Sequence, residues 1–107
     1  KRRKEKLQSE YPELVSKLTI LLGAGMTLFS AWNKIATNYS NKRKNNTIPI
    51  HPLYEEMLIT CHEIESGVGE ARAYERFGER CGLHRYRKFA VCLSRIFEKE
   101  RGDWCSY

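Results

Sequence analysis

At 107 residues, with 41% of them hydrophobic, the chain has the size of one domain and enough apolar side chains to bury a core without disulfides or metal. That composition excludes global disorder, and the longest apolar run, Leu18 to Met26, is too short to span a bilayer. The net charge of +6 points toward anionic partners, either nucleic acid or an anionic membrane surface.

The basic charge begins at once. Lys1, Arg2, Arg3, Lys4 and Lys6 crowd residues 1–10 with no apolar stretch behind them, so they do not read as a signal peptide. A helical domain is expected over 11–101. Its first helix is predicted from Pro12, which suits a helix N-terminus because it has no N–H to leave unpaired, to Leu22. Leu14, Leu18, Leu21 and Leu22 form its stripe. Gly23-Ala24-Gly25 ends it, and Thr27 can cap a second helix over Leu28 to Lys44 that buries Leu28, Trp32, Ile35, Ala36 and Tyr39. A polar loop from Asn41 to Thr47 follows. The third helix is predicted from Pro52 to Glu65, with Tyr54, Met57, Leu58, Cys61 and Ile64 in register. A fourth, Glu70 to Cys81, presents Ala73, Tyr74, Phe77 and Cys81, and its Gly78 implies close packing on a neighbour. The fifth, Arg85 to Glu100, carries Tyr86, Phe89, Leu93, Ile96 and Phe97, and a short tail over 102–107 completes the chain. No segment alternates long enough to be a strand, so the class is all-α.

One pattern occurs twice, 42 residues apart. Leu22-x-x-Gly25-Met26 followed by Ala31-Trp32 and Ile35 is matched by Ile64-x-x-Gly67-Val68 followed by Ala73-Tyr74 and Phe77. Each copy runs an apolar helix into a Gly and starts another helix whose first turn pairs a small Ala with an aromatic. The expected fold is therefore an antiparallel helical bundle of five to six helices built from two related helix-turn-helix halves. Gly25, Ala31, Gly67 and Ala73 are expected to line two close helix contacts.

The stretches Leu21 to Trp32 and Glu65 to Tyr74 resemble the cytoplasmic domain of the type II secretion system F family. These are inner-membrane platform proteins of type II secretion, type IV pilus and tight-adherence pilus machines. Tyr74 to Leu83 is also similar to a segment of the Gram-positive members, and the likeness covers roughly Pro12 to Ile96. The resemblance implies a six-helix bundle on the cytoplasmic side of the bacterial cell membrane, part of a longer membrane protein. It implies contacts with the assembly ATPase and with other copies of itself, and a transmembrane helix upstream of Lys1. Lys1, Arg2, Arg3 and Lys4 would then lie beside the anionic inner leaflet. The family's sixth helix has no counterpart after Arg101-Gly102, so one bundle face is expected to be uncovered, and a homodimer could bury it.

Chemistry is harder to find. Cys61, Cys81, Cys92 and Cys105 show no C-x-x-C pair. The first three fall on apolar stripes, where a reduced thiol behaves as a small hydrophobe. Cys61 and His62 point about 100° apart on a helix, and His51, His84, Cys81 and Cys92 sit at no zinc spacing, so no metal or cofactor is expected. No nucleophile elbow, phosphate loop or zinc-protease motif is present, and no enzyme is expected. Glu55, Glu56, Glu63 and Glu65 are read as surface charge, with Glu55, Glu56 and Glu63 as candidate partner contacts.

The alternative function is DNA binding. Phe77-Gly78-x-x-Cys81-Gly82-Leu83 resembles the turn of a helix-turn-helix, which would send Arg85, Arg87 and Lys88 to the major groove. Lys88 stands where that motif needs an apolar residue, so nucleic acid is the lesser expectation.

Overall fold

A computed structural model describes residues 2–45 and 48–100. Lys1, Asn46, Thr47, Cys105 and the tail expected over 102–107 lie outside the described residues, as does the side chain of Arg2. Among the described residues, five helices form one bundle: α1 (Arg2–Gly23), α2 (Leu28–Lys44), α3 (Pro52–Glu65), α4 (Glu70–Cys81) and α5 (His84–Glu100). The class is all-α, and four of the five helices begin within one residue of where their caps predict.

The exception is α1. It starts ten residues before the predicted Pro12 and carries that proline in its interior. A proline there lacks the N–H that would bond the Gln8 carbonyl, a cost of about 3 kcal/mol. Tertiary contacts made by the turns before it offset that cost. Leu7 is fully buried, and Tyr86 of α5 donates its hydroxyl to the Leu7 carbonyl at 2.6 Å. The boundary expected between residues 10 and 11 thus falls inside a continuous helix, and Arg2, Arg3, Lys4 and Lys6 belong to its first turns.

Trp32 of α2 sits at the centre of the core. It is fully buried, 5.1 Å from the Tyr74 ring and 4.9 Å from the Phe77 ring of α4, and its indole N–H donates to the Met57 carbonyl of α3. Aromatic pairs at this spacing contribute about 0.5–1.5 kcal/mol beyond their buried area. α4 and α5 pack closely because Gly78 has no side chain: a Cβ there would lie 2.9 Å from the Ala90 Cβ and 3.0 Å from the Tyr86 carbonyl oxygen. At its far end α5 returns to α2, where Glu100 accepts the Leu28 backbone N–H at 2.7 Å. A carboxylate is favourable at that helix N-terminus, where N–H groups lack partners.

The α1–α2 and α3–α4 turns are closed by corresponding hydrogen bonds. Met26 N–H bonds the Leu21 carbonyl and Gly25 N–H the Leu22 carbonyl; Val68 bonds Glu63 and Gly67 bonds Ile64 in the same way. Each is a Schellman-type ending that needs a left-handed residue, supplied by Gly25 at φ 99° and Gly67 at φ 112°. Both glycines are exposed, with no atom near where a Cβ would stand, so they do not line close helix contacts as expected. Ala31 and Ala73, in contrast, are fully buried.

Candidate functional site

Two polar junctions and one groove are the chemically distinctive features of the bundle. The first junction joins α1, α3 and α4. Residues 56, 60 and 63 lie on one face of α3, and Arg80 of α4 reaches across all three. Arg80 bonds the Glu56 carboxylate and carbonyl, the Thr60 hydroxyl and, at 3.2 Å, Glu63. Arg3 of α1 bonds the other Glu56 oxygen at 2.8 Å, and Arg76 bonds Glu63 at 3.1 Å. The carboxyl groups of Glu56 and Glu63 are only 14% and 16% exposed. They are internal cross-links, not the outward partner contacts expected of them. Glu55 is also engaged, accepting the Tyr39 hydroxyl of α2 at 2.6 Å. Helical periodicity placed these acids on the solvent side because their arginine partners stand far away in sequence. Arg80 is 24 residues from Glu56, and Arg3 is 53.

The second junction lies where α1, α2 and the start of α3 meet. His51, just before α3, places its Nδ1 on the carboxylate of Glu10, a residue only 7% exposed. The other oxygen of Glu10 is buried with no hydrogen-bond partner among the described residues. The Tyr39 hydroxyl accepts the His51 backbone N–H at 3.0 Å while donating to Glu55. Burial, reinforced by Glu55, pushes that phenol up to about 12. Tyr54 donates to Glu13 and accepts from Lys17, each at 3.2 Å; burial, then Glu13, moves its phenol upward as well. Both hydroxyls keep their protons and brace the junction through these hydrogen bonds. Glu10 and His51 carried no sequence signal, since a lone Glu on α1 looks like any surface acid.

The groove opens beside this junction, between α1 and α2, with a volume of about 440 Å³. Ile20 and Leu21 of α1, Ile35 of α2 and Ile48 of the connection supply its apolar lining, and Lys17, Lys34 and Lys42 stand around it.

The other sequence candidates are distributed over the surface. Arg3 is half-exposed and Lys4 exposed on the first turns of α1. Arg85, Arg87 and Lys88 are exposed at the start of α5, where Arg85 lies 5.1 Å over the Tyr11 ring of α1. Tyr86, Phe89 and Leu93 of the same helix are buried in the core. Cys61 and Cys81 are buried, and burial pushes their thiols up to about 11 and about 12. Cys92, expected on the apolar stripe of the fifth helix, is exposed, because Phe89, Ala90 and Leu93 fill the inward positions around it.

Among the described residues no group of three His, Cys, Asp or Glu side chains is placed to hold a metal ion, and no helix is long and apolar enough to cross a membrane. Compared with known proteins, the chain matches no family model, no curated protein and no solved structure.

Proposed function

We propose that this bundle is a non-catalytic platform domain of an inner-membrane protein for type II secretion or pilus assembly. It stands on the cytoplasmic side, contacts the assembly ATPase and neighbouring copies of itself, and is built from two related helix-turn-helix halves. The observation that carries this reading is the repeated turn. Two endings 42 residues apart share their hydrogen bonds and a left-handed glycine, and each is followed by a buried Ala and an aromatic. Those are the stretches that resemble the secretion F family. A chain whose distinctive polar residues are cross-links between helices also suits a rigid adaptor better than a catalyst.

The carboxylates of Glu55, Glu56 and Glu63 are occupied inside the fold, so the contact surface for the motor is assigned to other, exposed side chains. Exposed Ile59 on α3 and the exposed turns are the natural places to probe. The test uses the full-length gene product in its own cell, with a photo-crosslinking residue at position 59 or 66. A product that fractionates with membranes and crosslinks to the assembly ATPase supports the proposal. A product found free of membranes, retained on duplex DNA in a salt-dependent way and unable to capture the ATPase, would overturn it in favour of the DNA-binding alternative.

A further inference from the structure

The cleft between α1 and α5 plays no part in the platform reading, and its walls carry charge that the fold leaves unanswered. Its volume of about 520 Å³ falls within the roughly 300–1,000 Å³ typical of small-molecule sites. Tyr11 with Val15, and Pro12 with Ser16, form its α1 wall, each pair four residues apart and so on one side of the helix. Arg85 and Lys88, three apart on α5, form the other wall.

Among the described residues no carboxylate lines this cleft. The acids beside the α1 wall in sequence are turned elsewhere, Glu10 to His51 and Glu13 to Tyr54. On α5 no acidic residue occurs before Glu98. Arg85 rests its guanidinium 5.1 Å over the Tyr11 ring. Neither it nor Lys88 is ion-paired among the described residues. Both also stand against the field of their own helix. The start of α5 is its positive end, and its first turn carries no acid. An anion held between them removes a repulsion as well as adding an attraction.

Two cations on one wall and the exposed Ser16 hydroxyl on the other select among anions. A carboxylate or a backbone phosphodiester brings a single charge and would answer one cation only. A phosphate monoester carries about −1.5 to −2 charges at pH 7 and has three acceptor oxygens, enough for Arg85, Lys88 and Ser16 together. Pro12 and Val15 then face its organic group.

We infer that this cleft binds a phosphate monoester, its dianionic head between Arg85 and Lys88 with Ser16 donating, and its organic group against Pro12 and Val15. The inference does not rest on the platform reading, which leaves this face unassigned, and either can fail alone. It also departs from the DNA-binding alternative, in which the same cations would meet a chain of singly charged diesters.

The experiment is a two-dimensional NMR titration of the chain with phenyl phosphate at constant ionic strength. Phenyl sulfate, similar in shape but singly charged, is the control. Saturable shifts centred on Val15, Ser16, Arg85 and Lys88 are expected, with phenyl sulfate bound at least about fivefold more weakly. Lys88→Gln changes an exposed position, so the fold should survive. It is expected to weaken phenyl phosphate binding about five- to tenfold, whereas Lys88→Arg retains it and Lys34→Gln, outside the cleft, leaves it unchanged. Competition separates the sources, and either result upholds the inference. Displacement by vesicles containing phosphatidic acid, but not by glycerol 3-phosphate, makes a lipid headgroup the ligand; the reverse makes it a soluble ester. Scattered shifts that do not saturate, equal affinity for phenyl sulfate, or unchanged affinity in Lys88→Gln would each overturn the inference. Saturation of the same resonances by duplex DNA but not by phenyl phosphate would overturn it in favour of nucleic acid.

Discussion

Single side chains decide more here than their sequence neighbourhood suggests. Gly78→Ala gains up to about 1 kcal/mol of helix propensity. It also pushes a Cβ to 2.9 Å from Ala90 and 3.0 Å from the Tyr86 backbone, and such overpacking costs about 1–3 kcal/mol. Net destabilisation in urea unfolding is expected, whereas Gly23→Ala, which meets open space, should not destabilise. His51→Ala leaves the buried Glu10 carboxyl group without its hydrogen-bond partner, a defect of about 1–3 kcal/mol; a midpoint within error of the parent would refute the pairing. The thiols give a chemical readout. In a Cys105→Ser background, Cys92 should react with a thiol reagent in the folded state, while Cys61 and Cys81 wait for unfolding. Burial also fixes the sign of the alkaline response. The phenol of Tyr39 and both buried thiols have folded values above their ordinary ones, so the unfolded chain loses its protons first as pH rises. Their contribution is intact below about pH 9, the ordinary thiol value, and falls through pH 11 to 12. Flat stability across that window would contradict their burial.

At the scale of elements, what was legible depended on whether the signal was local. α2, α3 and α4 fall on their predicted bounds because Thr27, Pro52 and the turns around Gly25 and Gly67 act within a few residues of each helix end. The first three turns of α1 were not legible. Pro12 gave a strong local start signal, and what overrode it comes from Glu56 and Tyr86, far along the chain. The Arg80 junction was hidden for the same reason: periodicity shows which face a glutamate occupies, not which arginine faces it. The repeated turns invite a paired test. Gly25→Ala and Gly67→Ala place a Cβ at φ 99° and 112°, and each is expected to cost about 1–2 kcal/mol by strain alone. Ala31→Leu and Ala73→Leu should cost about 1–3 kcal/mol by overpacking in the core, and thermal unfolding unchanged in both would refute that.

At the scale of the molecule, long-range bonds tie both ends of the described chain into the bundle. Tyr86 holds α1 through the Leu7 carbonyl, and Glu100 holds the start of α2 through the Leu28 N–H. Tyr86→Phe removes the first tie at a cost of about 1 kcal/mol, the net worth of one hydrogen bond. Faster amide hydrogen exchange in residues 4–10 than in α4 is the expected signature, and uniform exchange would place the loss elsewhere.

The Arg3–Glu56–Arg80 junction has a mechanical consequence. A pull on the first turn of α1 is borne first by a charged clamp spanning three helices, and only afterwards by apolar packing around Leu7 and Leu14. Charged hydrogen bonds yield over a short distance and re-form when the load drops, so tension entering there would reach α3 and α4 before it disturbed the aromatic centre. The bundle would carry repeated loads as a spring-loaded hinge pin does, giving at one latch while its body keeps its shape.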